Sequence, residues 1–219
     1  MDELIPLSNA TLGRLPATVR VPRYDRSALT PGIVHVGLGN FHRAHQAWYL
    51  HRLFEKGLDH DWAIVGAGVR AADALQRDRL LAQDCLTTLI ELDPAGTSAE
   101  VTGAMIGFVE VEEDNAALIR QMADPAIRIV AMTVTEGGYY IDPQTGDLAT
   151  GHPDILHDAQ TPERPRTVFG AMVAALRARR DAGTGPFTGL SCDNLQGNGA
   201  VLRRTVIGLA RLSDPDLAD

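Results

Sequence analysis

Gly37-Leu38-Gly39 stands between an apolar run, Ile33-Val34-His35-Val36, and a stretch able to coil as a helix. In that setting glycines let the backbone turn tightly and approach a pyrophosphate, while helix N–H groups face its charge. The third glycine of a dinucleotide fingerprint would fall at position 42, where the chain has His42. A larger residue there should hold the helix further from the strand, so a dinucleotide site on this turn is a variant. The competing reading is a purely structural strand-to-helix turn. Asn40, Arg43 and His45 add polar groups: Arg43 can neutralise a phosphate or simply face water, and His42 can cap or pack locally. A metal centre on His42, His45 and His51 finds no support, because the spacing matches no usual ligand set and acidic partners are missing nearby.

A nicotinamide enzyme needs a second signal, an acid near the end of the next strand that accepts from the adenosine ribose hydroxyls. That strand ends at Gly66-Ala67-Gly68-Val69-Arg70, and the next acid is Asp73, later than the usual spacing. Asp73 either reaches the ribose from an extended loop or starts a helix in water. Arg70 complicates the cofactor choice, since an arginine can receive the 2'-phosphate of NADP. Further on, Asn194 lies just beyond the apolar run Phe187 to Cys192. It is either a turn residue opening a helix or an amide donor at a site on the ends of the strands. Cys192 has no base placed beside it and reads as a small buried residue; Cys85, His152 and His157 belong to no constellation.

The elements that must position these residues follow from the apolar patterns. Ile33 to Val36, Trp62 to Val65, Leu86 to Ile90, Ile127 to Val134 and Phe187 to Cys192 read as strands. The glycine-bearing stretch Val101 to Val111 suits a bent or edge strand, and Asp93-Pro94-Ala95-Gly96 is a turn. Helices are expected over Ala44 to Glu55, Ala71 to Ala82, Asn115 to Ala123, Thr167 to Arg180 and Val201 to Leu212. The acidic run Glu112-Glu113-Asp114 suits the positive start of the third of these helices. Pro143 to Arg166 is polar and rich in turn formers. Strands alternating with helices predict an α/β, Rossmann-like fold, its largely parallel sheet covered by helices on both faces. Residues 1–31, with Pro6, Pro16, Pro22 and Pro31, read as an irregular lead-in packing on a domain that spans 32–219.

Composition narrows the class further. The chain has 219 residues, 45% hydrophobic and 22% charged, enough aliphatic material to build a globular core. A formal charge of −8 gathers no nucleic-acid phosphate, so nucleic acid is excluded as a partner. Two cysteines make no disulfide framework and fit a reducing compartment. Met1-Asp2-Glu3 lacks the basic start of a signal peptide, and no run approaches ~18 apolar residues. The expectation is a cytoplasmic protein with no membrane partner.

Several stretches together resemble the long-chain mannitol dehydrogenase family of polyol and sugar-acid oxidoreductases. They are Gly37-Leu38-Gly39-Asn40-Phe41-His42-Arg43-Ala44-His45-Gln46, Gly66-Ala67-Gly68-Val69-Arg70, Thr133-Val134-Thr135-Glu136-Gly137-Gly138-Tyr139, and Ser191-Cys192-Asp193-Asn194-Leu195 followed by Asn198-Gly199. Gln83-Asp84 and Thr167-Val168-Phe169-Gly170 also fit, and the likeness runs from about residue 30 to about residue 212. The resemblance implies a dinucleotide-binding domain followed by a mostly helical one, with the active site between them. It implies NAD as cofactor and a polyol or ketose substrate, with interconversion of D-mannitol and D-fructose the nearest activity. Fructuronate reductases and arabinitol dehydrogenases share the signatures and stay open.

Residue by residue, the resemblance places the cofactor pyrophosphate on Gly37, Leu38, Gly39, Asn40, Phe41, His42 and Arg43. It sets Arg70 and Asp73 at the adenosine ribose, and Thr135, Glu136 and Gly137 beside the nicotinamide. Asn194 points at the reacting oxygen, and Asp193 reads as a turn acid. The family draws its general-base lysine from the helical domain. Here Lys56 is the one lysine, inside the first helix, so the base and the C-terminal helical domain are expected to be absent. Two readings result. One is the cofactor half of a polyol dehydrogenase, completed by a missing or separate helical domain; the other is a non-catalytic dinucleotide-binding module or remnant.

Overall fold

The computed structural model describes residues 4–219; the acidic start Met1-Asp2-Glu3 lies outside the described residues. Two 3-10 turns, Asn9–Arg14 and Arg26–Ala28, flank the short strand β1 (Val19–Arg20). There follow β2 (Pro31–Val36), α1 (Asn40–Ala44), α2 (Gln46–Phe54), β3 (Ala63–Ala67) and α3 (Asp73–Leu81). Next come β4 (Thr87–Asp93), β5 (Gly96–Thr102), β6 (Met105–Phe108), α4 (Ala116–Ala123) and β7 (Ile129–Met132). A 3-10 turn, Glu136–Tyr139, leads to α5 (Pro153–Gln160), α6 (Val168–Asp181), β8 (Thr188–Ser191), α7 (Asn198–Ser213) and α8 (Pro215–Ala218).

Five strands, in the order β6-β3-β2-β7-β8, form one parallel sheet. Helices cover both faces, which is why the central strands read as nearly unbroken apolar runs. On one face Val34, Val36, Val130 and Met132 pack with Leu118 and Met122 of α4 and with Phe169 and Met172 of α6. On the other, Ile33, Ile64 and Ala131 pack with Ala47 of α2 and Leu80 of α3. The chain winds outward from β2 through β3 to β6, then returns to β7 on the other side of β2. The order reverses between β2 and β7, where crossover connections leave on opposite faces and a crevice opens at the carboxyl ends of the strands. The Rossmann-like fold expected from the sequence is present.

Three expectations are corrected. Leu86 to Ile90 does not enter the parallel sheet. It forms β4, which turns back at Pro94-Ala95 and pairs antiparallel with β5 in a separate three-stranded sheet ordered β1-β5-β4. The third parallel strand is β6, the edge strand, drawn from the stretch that its glycines made ambiguous. The helix expected over Ala44 to Glu55 starts earlier and breaks at His45, whose backbone (φ −119°, ψ −84°) separates α1 from α2. Within the turn-rich stretch Pro143 to Arg166 lies α5, entered at His152-Pro153, where proline suits the first helical position. Its buried residues are Ile155 and Asp158.

Candidate functional site

The first wall of the crevice is the turn after β2. Gly37 sits at φ +86°, and a Cβ there would collide with the Thr133 carbonyl at the end of β7, so only glycine fits. The Gly37 N–H is held by the Ala67 carbonyl at 3.1 Å, and the Thr133 N–H by the Val36 carbonyl at 2.9 Å. The Leu38 side chain is buried and lies against Gly66, where a Cβ would collide with it. At Gly39 the situation is opposite: a Cβ would meet no atom within 4 Å, so this is the open side of the turn. The N–H groups of Leu38 and Gly39 find no acceptor among the described residues.

Asn40 and Phe41 are exposed, and Phe41 stacks on His45 with ring centroids 4.3 Å apart. Arg43 folds back on the turn, donating from Nη2 to Asn40 Oδ1 at 2.5 Å and from Nε to the Gly39 carbonyl at 3.4 Å. The residue in the third-glycine position, His42, is buried with 1% exposure and packs against His35 of β2, the rings tilted by 34° with centroids 3.7 Å apart. Burial, and then the neighbouring His35, push the His42 pKa down to about 2. Burial likewise lowers His35 to about 4, so both rings are neutral at neutral pH.

The second wall is the loop from β3 to α3. Asp73, the first residue of α3, accepts the N–H groups of Val69 (3.0 Å) and Arg70 (2.9 Å) on its Oδ2. Gly68 leaves it room, because a Cβ there would collide with the Asp73 side chain. The carboxylate thus shapes its own loop with one oxygen, and its other oxygen has no partner among the described residues. A cavity of about 340 Å³ lies between these walls, lined among others by Gly37, Arg70, Asp73, Thr133, Thr135 and Arg166. Arg166 carried no signal in the sequence. It reaches the cavity because buried Asp158 accepts its N–H at 2.7 Å, and the N–H and hydroxyl of Thr167 at 3.0 and 2.6 Å, fixing the start of α6.

The third wall joins the ends of β7 and β8. Thr135 adopts φ +69°, rare for a β-branched residue. It is held there by Asp193, whose Oδ1 accepts the Thr135 N–H and whose Oδ2 accepts the Val134 N–H, both at 3.0 Å. The Tyr139 hydroxyl also donates to Asp193 Oδ2 at 2.7 Å and lies 2.6 Å from Ser191 Oγ. Asp193 is therefore a structural acceptor that clamps two strand ends. Asn198, opening α7, donates to the carbonyls of Ser191 (3.2 Å) and Asp193 (3.1 Å) and fixes the intervening loop. That loop holds Asn194 exposed, beside Thr135, Glu136 and Gly137, around a second depression of about 460 Å³. Thr135 borders both cavities.

The structure brings most of the expected site residues to one end of the sheet, with His42 and the Leu38 side chain turned inward. Lys56 lies elsewhere, exposed beyond α2 beside Arg52 and Glu55. Cys85 and Cys192 are free thiols whose pKa values burial raises, Cys85 to about 11. Among the described residues no three His, Cys, Asp or Glu side chains gather as metal ligands, and no helix is long and apolar enough to cross a membrane.

The arrangement suits a dinucleotide. Open N–H groups at Leu38 and Gly39 can receive a pyrophosphate, and the uncommitted Asp73 oxygen can accept from a ribose. Comparison with known proteins agrees with that shape. Residues 31–219 match the mannitol dehydrogenase Rossmann domain. The chain is 64% identical over 201 residues to a mannitol 2-dehydrogenase of Cereibacter sphaeroides, covering 92% of this chain and 42% of that protein. It is 46% identical to a polyol:NADP oxidoreductase of Gluconobacter oxydans, covering 97% of this chain and 44% of the relative. Its fold superposes with a TM-score of 0.94, at 44% identity, on Pseudomonas fluorescens mannitol 2-dehydrogenase in a ternary complex with NAD and D-mannitol. That match covers 98% of this chain and 44% of the solved one. The chain thus spans less than half the length of these relatives.

Proposed function

We propose, from the premise that this chain belongs to the mannitol dehydrogenase family, that it is the cofactor-binding half of an NAD-dependent polyol oxidoreductase interconverting D-mannitol and D-fructose. The observation that carries the reading is the crevice at the β2/β7 switch point. There an open glycine turn, an acid with a spare oxygen and the Thr135 loop converge. The likeness to a solved enzyme complexed with NAD and D-mannitol supports the choice of cofactor and polyol. In this reading residues 32–219 form the dinucleotide-binding domain, and the described part of the lead-in, residues 4–31, packs on it. Supporting that division, Arg26 in the lead-in donates to the carbonyls of Asp84, Gly103 and Met105.

The chain's residues divide the work by position. The N–H groups of Leu38 and Gly39 bind the pyrophosphate, and Gly39 lets it approach because no side chain intervenes. Asp73 takes a ribose hydroxyl on Oδ1, which favours NAD, while Arg70 beside it tempers that preference. Thr135, Glu136 and Gly137, held by Asp193, orient the nicotinamide end toward the second depression. Bound NAD supplies the hydride acceptor. As the C2 hydroxyl of mannitol loses its proton, its oxygen gains negative charge, and the Asn194 amide N–H stabilises it without acting as a base. The proton itself needs a base, and no lysine borders the Asn194 depression. A base from outside these residues completes the reaction, as the family's helical domain would provide.

The test is a calorimetric titration of NAD into the 219-residue chain, with a parallel assay for mannitol-dependent NADH. Saturable binding with negligible turnover is expected. Robust turnover by the pure chain would refute the assignment of the base elsewhere, and a folded chain that ignores NAD would refute the cofactor site.

A further inference from the structure

Beneath the glycine turn lies a partly buried polar chain that the cofactor reading does not use. His35, on the central strand β2, places Nδ1 2.7 Å from Gln46 Oε1 and Nε2 3.3 Å from Thr133 Oγ1. Thr133 Oγ1 donates to the Gly37 carbonyl at 2.5 Å. Counting protons fixes the direction. The Thr133 hydroxyl has one proton, already given to Gly37, so toward His35 it can only accept. His35 then carries its proton on Nε2 and Nδ1 accepts, which requires the Gln46 amide turned by a half-rotation so that its NH2, in place of Oε1, faces the ring. The order runs Gln46 N–H to His35, His35 N–H to Thr133, and Thr133 O–H to the Gly37 carbonyl. His42 lies over His35 with neither ring nitrogen bonded and covers the His35 ring, where a third glycine would offer no side chain.

We propose that Thr133 and His35 are positioning residues for the cofactor turn, fixing the Gly37–Leu38 peptide so that the Leu38 N–H faces the pyrophosphate. The step from carbonyl to N–H follows from peptide planarity: in a trans peptide the two point in opposite directions. Holding the Gly37 carbonyl toward β7 aims the Leu38 N–H away from β7, and it has no acceptor among the described residues. His42 thereby has a role in the place of the missing glycine: its ring shields the relay. This role rests on the cofactor reading above.

Two measurements decide it. NAD titrations compare the unaltered chain with Thr133→Val, Thr133→Ser, His35→Phe and the double variant T133V/H35F. The expectation is about a tenfold loss of affinity in T133V, the size of one misplaced hydrogen bond, and a near-normal value in T133S. The double variant should lose no more than the worse single one, because the residues act as one unit. Normal binding by T133V, equal losses in T133S and T133V, or additive losses would overturn the positioning role. NAD binding absent even from the unaltered chain would overturn the cofactor reading and this role with it. Independently of any ligand, and of whether T133V folds, the imidazole 15N shifts of His35 should show the Nε2–H tautomer; the Nδ1–H tautomer would overturn the relay.

Discussion

Replacing Asp193 by asparagine isolates the clamp that shapes the site. In the native chain its two oxygens accept from Val134 N, Thr135 N and the Tyr139 hydroxyl, at 3.0, 3.0 and 2.7 Å. Asparagine has nearly the same shape but only one acceptor oxygen. Whichever way its amide turns, an NH2 group faces a backbone N–H, so one charge-assisted hydrogen bond is lost and two donors confront each other. Hydrogen bonds to a charged group contribute about 1.5–3 kcal/mol each. Asp193 is only half-buried, so water recovers part of that, and about 2 kcal/mol is the expected cost of Asp193→Asn. For a chain of this size that amounts to a fall in Tm of roughly 4–8 °C. Thermal melts followed by circular dichroism, with a urea midpoint as a second measure, give the value. NAD affinity should fall as well, because the strained Thr135 (φ +69°) loses its hold. A melting point within about 1 °C of the unaltered chain would refute the clamp, as would an unchanged urea midpoint.

Two further outcomes follow from the same geometry. Gly37→Ala should destabilise the fold by about 3 kcal/mol, combining a left-handed backbone with a collision against the Thr133 carbonyl, whereas Gly39→Ala should leave Tm nearly unchanged and weaken only NAD binding; paired melts and titrations separate them, and a matching pattern in both variants would contradict the turn. His35 and His42 are held neutral, with pKa values near 4 and 2 against about 6.5 unfolded, so the unfolded chain binds the extra protons and stability falls as pH drops. Between pH 6.5 and 5 the pair should cost about 3 kcal/mol in urea-unfolding free energy, and His42→Phe should halve that slope; an unchanged slope would show that His42 is not buried neutral.

Much of the site was legible because its parts are local. A glycine turn after an apolar strand, a helix start at Thr167 and an acid after β3 are short-range signals, and the buried parallel strands are long apolar runs. What escaped depends on partners distant in the chain. Thr87 to Ile90 has strand chemistry whether it lies in a buried sheet or on an exposed hairpin; only the pairing with Gly96–Thr102 decides, and Ile90 ends 59% exposed. Helix α5 hides among turn formers because its inward side includes a buried acid, Asp158, whose value comes from the backbone of Arg166 and Thr167. His35 sits inside an apolar strand with no periodic mark, and its partner Thr133 is 98 residues away. His42 breaks the fingerprint although its partner is near in the chain: the ring contact with His35 forms only once the turn folds α1 back over β2.

The crevice between β2 and β7 should bind NAD in the chain as it stands. Isothermal titration of NAD into the pure 219-residue protein tests it most directly. The account predicts saturable one-to-one binding that Gly39→Ala weakens without altering the melt. A well-folded chain that shows no heat of binding and no shift in Tm at saturating NAD would contradict it.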